Sequence, residues 1–245
     1  MRGWPAVVLN NALDLVYPRD CAVCGRRYAS AGDGVLCPVC REALPRIVVN
    51  PCSRCGDDRG PHATGERACP SCGHRRGLVF RGAAAVCRYQ DGARDLVHRL
   101  KYGRDMRIGS IMGDAMAEKF LTMSWCNEVG LVVPVPLHWT RHLARRFNQS
   151  ALLARRIGAA SGNPVHPRAL RRTRRTVSQA RLAGRDRVEN VRGVFAARDK
   201  SRNSMKGKIV LLVDDVMTTC ATAAECSRAM VRAGARRVYV AVFAR

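Results

Sequence analysis

The sequence predicts an α/β protein in which a mostly parallel sheet follows a small cysteine-rich module. From residue 81 onward, apolar runs rich in valine and alanine alternate with amphipathic segments, which is typical of strand–helix–strand units. Eight of the twelve cysteines lie between Cys21 and Cys72. The 245 residues, 47% of them hydrophobic, suffice for one main core and a small appended module. We therefore expect two domains, over residues 1–80 and 81–245.

The first residues predict a short amphipathic helix. Residues 6–16 are apolar but are interrupted by Asn10, Asn11 and Asp14. No small-residue cleavage site follows them, so a secretory signal is not predicted. Contact with a membrane surface is the alternative for this segment. No apolar run approaches the roughly eighteen residues of a membrane span, and we expect a cytoplasmic protein without a transmembrane segment.

The clustered cysteines form four Cys-x-x-Cys pairs, and this spacing lets two thiolates converge on one ion. Two such pairs complete a tetrahedral Zn²⁺ site with Zn–S distances of about 2.3 Å. Pairing in chain order gives C-x2-C-x12-C-x2-C and then C-x2-C-x13-C-x2-C, close to common zinc-ribbon spacings. We predict a double zinc ribbon with two structural Zn²⁺ ions over about residues 15–78. The predicted ligands are Cys21, Cys24, Cys37, Cys40, Cys52, Cys55, Cys69 and Cys72.

Other interpretations of the four pairs are open from sequence alone. Disulfides would suit an exported chain, an iron–sulfur or redox centre would also use paired thiolates, and the pairs could combine in crossed order. A module with so few large apolar side chains cannot build a core alone, so its ions should be needed for folding. Its arginines could bind nucleic acid or protein, or could offset the charge of the thiolates.

Strands and helices alternate through the rest of the chain. The second strand should end at the prolines of the run 133–136, because proline cannot donate to a ladder. Residues 168–187 lack an apolar period and are expected to form a mobile loop. Neither GxxxxGK[ST] nor GxGxxG occurs, which argues against nucleotide triphosphatases and dinucleotide enzymes. The predicted elements are strand 83–89, helix 93–101, helix 108–123, strand 131–135, helix 149–160, strand 208–213, helix 222–233 and strand 237–243.

The most informative segment is 208–222, KIVLLVDDVMTTCAT. A buried strand leads into Asp214 and Asp215, and ligands of open α/β sheets bind at the carboxyl ends of strands. Carboxylates accept hydrogen bonds from vicinal sugar hydroxyls, and hydroxyl side chains at a helix N-terminus suit a phosphate. The order therefore predicts a ribose phosphate site; the alternative is a threonine helix cap after two acidic turn residues. The candidate phosphate-binding residues are Thr218, Thr219, Cys220, Ala221 and Thr222.

The formal net charge of +24 is the second strong compositional signal. Residues 141–192 hold fourteen arginines against Asp186 and Glu189. Arginine suits bidentate phosphate recognition and stacking on bases. The charge fits a nucleic-acid partner, and it equally fits a solvated basic surface.

These motifs resemble those of a known family. Segment 208–222 resembles the phosphoribosyl pyrophosphate (PRPP) motif of type I phosphoribosyltransferases, and nearly the whole chain is similar to ComF/GntX-family proteins, the competence-associated branch of that fold. Similar proteins usually carry glycine at the position of Cys220, where a side chain could crowd the phosphate or require another backbone conformation. The cysteine-rich amino terminus shares the resemblance. So do HRLKYGRD (98–105), LVVPVPLHWTRHLARRFNQSALLA (131–154) and RRTRRTVSQARLAGRDRVENVRGVF (171–195).

The resemblance implies a type I phosphoribosyltransferase-like domain, a ligand such as Mg²⁺-PRPP or a ribonucleotide, and a part in natural transformation. It implies that Asp214 and Asp215 hold the ribose hydroxyls and the metal ion. A loop containing Thr176, Gln179 and Leu182 would close over the reacting centre. The basic residues expected to face the pyrophosphate are Lys101, Arg141, Arg145 and Arg146.

Ligand binding is better supported by the sequence than turnover. A transferase usually needs a group that removes the acceptor's proton, yet no carboxylate or histidine lies between Asp215 and Glu225. Related nucleobase transferases carry an acidic residue where this chain has Thr218. Three hypotheses follow: a phosphoribosyltransferase, a catalytically inactive adapter for single-stranded DNA on the same scaffold, and a zinc-dependent module that binds DNA-uptake or recombination proteins.

Overall fold

The computed structural model describes residues 19–28, 34–60, 69–73, 78–103, 105–137, 147–174 and 191–245. Several predicted features lie outside these residues. They are the helix at 6–16, the arginines Arg141, Arg145 and Arg146, and the loop residues Thr176, Gln179 and Leu182.

The centre of the molecule is a four-stranded parallel sheet in the order β3-β8-β7-β4. The two middle strands are long, apolar and almost wholly buried, as expected for strands that are covered on both faces. Short antiparallel pairs, β1 with β2 and β5 with β6, lie outside this sheet. The strands are β1 (Arg19–Asp20), β2 (Arg27–Tyr28), β3 (Gly82–Cys87), β4 (Leu131–Pro134), β5 (Leu170–Arg172), β6 (Phe195–Ala197), β7 (Ile209–Val216) and β8 (Arg237–Ala244).

Helices cover both faces of the sheet, and each face has its own apolar cluster. On the first face, α2, α3 and α4 pack against residues such as Leu211 and Val213 of β7. On the second face, α5 and α6 pack against the alternate residues Val210 and Leu212. The helices are α1 (Pro38–Glu42), α2 (Asp91–Tyr102), α3 (Met106–Leu121), α4 (Gln149–Ser161), α5 (Asp199–Met205) and α6 (Ala221–Arg232), with a 3-10 turn at Cys126–Glu128.

The cysteine-rich module packs against both faces around the edge strand β3. Residues 45–47 run beside that strand: the Ile47 amide donates to Val86 O at 2.8 Å, and the Arg88 amide donates to Pro45 O at 2.8 Å. These bonds cover a sheet edge that would otherwise expose unpaired backbone groups. Cys21 and Cys37 belong to the apolar cluster of the first face, whereas Cys52, Cys55, Cys69 and Cys72 belong to that of the second.

The predicted α/β class with a parallel sheet and an amino-terminal cysteine module is confirmed, and each predicted strand or helix from residue 83 onward has a counterpart within about three residues. One prediction is wrong in part. Residues 168–187 were expected to be a loop, but Leu170–Arg172 form β5, which pairs with Phe195–Ala197 because Leu170 and Phe195 are both buried. The short helix α5 was not predicted. None of the helices in the described ranges has the length and apolarity needed to span a bilayer.

Candidate functional site

The eight predicted metal ligands form two groups in chain order, not in crossed order. The four Sγ atoms of each group lie within 4.8 Å of one another. Sγ–Sγ distances are 3.9 Å between Cys24 and Cys37, 3.7 Å between Cys52 and Cys72, and 3.7 Å between Cys55 and Cys69. A tetrahedron with Zn–S bonds of about 2.3 Å has edges of about 3.8 Å. Both groups therefore have the dimensions of a zinc site, whereas a disulfide would require about 2.05 Å.

Backbone amides favour the thiolate form of Cys21 in the first group. The amides of Val23 and Cys37 both donate to Cys21 Sγ at 3.4 Å. Burial of this thiol opposes ionisation, but the amide hydrogen bonds outweigh burial and lower the pKa of Cys21 to about 6. A metal-bound cysteine must be deprotonated, so this environment fits a Zn²⁺ ligand. All twelve cysteines lie in the described residues, and none of them forms a disulfide.

The candidate ligand loop begins where β7 ends. Asp214 and Asp215 lie within the strand, which continues to Val216, so the strand is longer than predicted. Ser150 Oγ and the Asp215 amide each donate to Asp214 Oδ1 at 2.9 Å. Burial of the carboxyl, followed by the negative charge of Asp215, raises the pKa of Asp214 to about 7. This group therefore changes its protonation near neutral pH.

The second carboxylate of the pair, Asp215, forms an ion pair with a lysine. Asp215 is buried, and its Oδ2 lies 3.0 Å from Lys101 Nζ, on the last turn of α2. Burial disfavours the charge of this lysine, but the attraction of Asp215 and Asp214 outweighs burial and raises the pKa of Lys101. The structure thus pairs Lys101 with the predicted sugar-binding carboxylate, while its predicted contact with a pyrophosphate stays a prediction.

The predicted phosphate-binding residues lie together and share a small cavity with Asp214. Its lining includes Asp214 and residues 216–223, and its volume is about 20 Å³. Helix α6 begins at Ala221, so its unpaired amides point toward this loop. Cys220 adopts φ +60°, in the left-handed region that favours glycine. The backbone therefore keeps the conformation expected for the usual glycine, and the Cys220 side chain is buried.

A larger cavity lies on the other side of the first turn of α4. It has a volume of about 1060 Å³ within the described residues and combines apolar walls with arginines. Asn148 lines it, and Ser150, two residues further, donates to Asp214, so one helical turn joins the cavity to the acidic pair. We call it the arginine groove. Its basic lining residues are Arg155, Arg168, Arg171, Arg172 and Arg198.

Two residues of this region were missed by sequence reasoning. Ser150 follows the helix cap Asn148, whose side chain accepts from the Ser150 amide at 3.1 Å. The polar start of the helix that follows the predicted strand 131–135 along the chain is a signal that could have identified Ser150. Arg245 contacts the loop through its guanidinium, which donates to Met217 O at 2.8 Å and to Thr218 O. Nothing in the local sequence pattern indicates this contact.

Comparison with known proteins agrees with this architecture. The sequence model of the double zinc ribbon domain family matches residues 12–74. The DNA utilization protein YhgH of Escherichia coli K12 is 30% identical over 224 residues, which cover 90% of this chain and 87% of that protein. Competence protein ComFC of Bacillus subtilis is 27% identical over 82% of this chain and 80% of that protein. The chain belongs to the ComF family.

The ComF resemblance inferred from the motifs is thereby confirmed, and so is the double zinc ribbon with its two four-cysteine sites. Competence protein F of Haemophilus influenzae is 31% identical over 44% of this chain and 47% of that protein. Among solved structures, the glutamine PRPP amidotransferase from B. subtilis complexed with ADP and GMP matches 62% of this ComF-family chain, with a TM-score of 0.35 and 21% identity. The match spans 27% of that structure's chain.

Proposed function

We propose that this chain binds PRPP or a related phosphoribosyl ligand, together with Mg²⁺, at residues 214–222. The observation that carries the proposal is that Asp214 and the predicted phosphate-binding loop line one cavity at the carboxyl end of the sheet. A cavity of about 20 Å³ holds about one water molecule. The phosphate would therefore bind at its mouth, against the amino-terminal amides of α6.

Each carboxylate has a distinct role in this proposal. Asp214, when ionised, accepts hydrogen bonds from the ribose hydroxyls, while Ser150 and the Asp215 amide hold its Oδ1 in place. Asp215 forms an ion pair with Lys101 at 3.0 Å, and its carboxylate adds to the attraction for Mg²⁺, which prefers carboxylate oxygens. Mg²⁺ would supply charge neutralisation for the pyrophosphate. Such a site could also transfer the phosphoribosyl group, with release of pyrophosphate.

The proposal is tested by titrating Mg²⁺-PRPP into the zinc-loaded protein by calorimetry. We expect saturable binding that is at least about tenfold weaker in Asp214→Asn, since loss of a charged hydrogen-bond acceptor costs about 1.5–3 kcal/mol. Asp199→Asn is the control, because this aspartate is 89% exposed and lies on α5. Well-folded wild-type protein that gives no binding heat would refute the site. Pyrophosphate release during incubation with nucleobases or amines would distinguish an enzyme from a ligand sensor.

A second candidate function, single-strand DNA binding, is favoured by the arginine groove. Five arginines line a cavity that also contains Phe147, Pro136 and Leu152. Cationic side chains that follow a backbone, next to surfaces on which bases can stack, are typical of single-strand binding sites. The relatives' names refer to DNA utilization and competence. In this proposal the chain handles incoming DNA in the cytoplasm together with DNA-uptake or recombination proteins, with or without catalysis.

Fluorescence anisotropy of a labelled oligonucleotide at several salt concentrations tests this function. We expect Arg168→Glu/Arg171→Glu to weaken binding and to lower the slope of log K against log salt by about 0.7 for each lost contact. The matched control is Arg232→Glu/Arg236→Glu, because these exposed arginines lie outside the groove. Equal binding by both double variants would show that the arginine groove does not contribute to DNA binding.

A further inference from the structure

Arg245 lies between the second cysteine group and the candidate ligand loop. Its backbone continues the sheet beyond β8: its amide donates to Cys87 O at 2.9 Å, and its carbonyl accepts from the Tyr89 amide at 2.6 Å. Its side chain is only 4% exposed. A buried guanidinium must find acceptors or counter-charges within the protein, since an unpaired buried cation is costly.

One end of the guanidinium fixes the start of the ligand loop. Nη1 donates to Met217 O at 2.8 Å and to Thr218 O. The Met217 amide also donates to Ala244 O at 3.0 Å. The two accepting carbonyls directly precede Thr219 and Cys220, so the position of Arg245 determines where the loop leaves β7. That position in turn sets the orientation of the amides that begin α6.

The other end of the guanidinium faces the second cysteine group. Nη2 lies 3.8 Å from Asp57 Oδ2, and Asp57 accepts from Ser71 Oγ, which links the two halves of that group. Burial disfavours the charge of Arg245, but the proximity of Cys220, Cys55 and Asp57 outweighs burial and raises its pKa. Arg245 Nε and Nη2 are buried and have no acceptor of good hydrogen-bond geometry within the described residues, although Cys55 lies close enough to interact with the guanidinium.

The poorly satisfied Nε and Nη2 donors of Arg245 indicate which group would complete its interactions. Four thiolates around one divalent cation carry a net double negative charge. Cys55 interacts with the guanidinium and belongs to a group of four buried cysteines, so a metal-loaded group would provide the missing counter-charge. Loss of the ion, or oxidation of the thiolates, would remove that counter-charge and release the side chain.

We propose that Arg245 is a positioning residue that couples metal occupancy of the second cysteine group to the conformation of residues 217–222. The negatively charged thiolates around the ion attract the guanidinium, and the guanidinium donates to the loop carbonyls. Metal loss at this group therefore loosens the loop, whereas metal loss at the first group does not. The consequence for a phosphoribosyl ligand rests on the function proposed above, but the effect on the loop does not.

Hydrogen exchange of the zinc-loaded, full-length protein tests the coupling without any ligand. In Arg245→Met, which keeps an unbranched apolar stem but removes the fork of donors, we expect amides 217–222 to exchange at least about tenfold faster. Two zinc ions per chain should remain. Arg236→Met is the matched control, because the Arg236 side chain is exposed at the opposite end of β8. The hydrogen bond from the Arg236 amide to Lys208 O does not depend on that side chain. Unchanged exchange in Arg245→Met would overturn the proposal.

Removing the metal by another route keeps the test decisive if Arg245→Met fails to fold. Cys72→Ser disables the second group and Cys24→Ser the first; only Cys72→Ser should accelerate exchange of residues 217–222. Equal effects would contradict the coupling. Where the wild type binds Mg²⁺-PRPP, Arg245→Met should weaken binding at least about tenfold, and Arg245→Lys should recover it only in part, since lysine lacks the bidentate fork. If the wild type binds no PRPP, the proposed function fails, while the exchange comparison still tests Arg245.

Discussion

Each face of the sheet holds one four-cysteine group and one aspartate of the acidic pair, but the surroundings of these groups differ between the two faces. On the first face, Cys24 is exposed, and Asp215 is paired with Lys101. On the second face, all four cysteines are buried, and Asp214 lines the cavity of the ligand loop. Strand alternation at β7 separates the two aspartates, because neighbouring side chains point to opposite faces.

Two cysteine groups with the same Cys-x-x-Cys spacing thus lie in different structural surroundings. The first group has the features of a peripheral clamp that fixes residues near α2: a Cβ on Gly92 of that helix would lie 3.3 Å from Val23. The second group is continuous with the core beneath the ligand loop. We therefore expect perturbations of the second cysteine group to affect stability and ligand binding together, and perturbations of the first cysteine group to affect mainly stability.

The largest difference should come from removing one ligand of each group. Cys55 is fully buried, whereas Cys24 is exposed. Loss of a buried metal site belongs to the mechanisms that cost more than about 4 kcal/mol, and about 1 kcal/mol shifts Tm by about 2–4 °C at this size. Cys55→Ser should lower Tm by at least about 8 °C, and Cys24→Ser by less than half as much. Calorimetry with zinc analysis checks this, and equal shifts would show that the two groups are equivalent.

A smaller and more selective difference is expected at two equivalent glycines. Gly25 and Gly56 each follow the second cysteine of their group, with φ +70° and +71°. Among the described residues, a Cβ at Gly25 would meet nothing within 4 Å, whereas a Cβ at Gly56 would lie 3.1 Å from Ala83 O and 3.2 Å from Ala85 Cβ. The second knuckle thus lies directly on β3, and the first does not.

Alanine at both positions separates backbone strain from packing. Gly25→Ala should cost about 1–2 kcal/mol, the penalty for a left-handed alanine. Gly56→Ala should cost about 1–3 kcal/mol more, because the new methyl group overpacks against the sheet. Urea unfolding of both variants measures the difference. Equal losses in the free energy of unfolding would mean that the second knuckle can move away from β3 without cost.

The sequence predicted the parts of the fold that depend on local pattern. The unbroken apolar run of β7 and the Cys-x-x-Cys spacings both dictate their structure locally, and both predictions are confirmed. Strands β5 and β6 were missed because each has three residues and is fixed mainly by one buried side chain, Leu170 or Phe195. Helix α5 was missed because it buries only Met205.

The candidate site divides in the same way. Asp214, Asp215 and the loop residues were identifiable because they are contiguous at the end of one strand. The partners that set their charge, Lys101 and Ser150, come from helices more than sixty residues away in sequence. The contact of Arg245 with the second cysteine group depends on how the knuckle packs across β3. Such contacts follow from tertiary packing, which no local pattern encodes.

The smallest predicted effect concerns the pH dependence of the acidic pair in the ligand-free protein. The pKa of Asp214 is raised from the usual 3.8 to about 7 by burial and by Asp215. The folded state therefore binds this proton more tightly than the unfolded state, and stability falls as pH rises from about 4 to about 7. Asp214→Asn removes that loss. Relative to wild type, the Tm of this variant should rise by at least about 2 °C between pH 4.5 and pH 8, since even 1 kcal/mol shifts Tm by about 2–4 °C.

The control for this prediction is Asp199→Asn, because the exposed Asp199 should give a Tm difference from wild type that does not change with pH. Parallel pH profiles for Asp214→Asn and wild type would show that the carboxyl titrates near its ordinary pKa. The same shift has an opposite consequence for binding. A ligand whose hydroxyls donate to ionised Asp214 should bind more tightly as pH rises from 6 to 8, in the range where the free protein loses stability. On the second face, ionisation of Asp214 at neutral pH would therefore lower stability but strengthen ligand binding. On the first face, Asp215 forms an ion pair with Lys101, so the same opposition is not expected there.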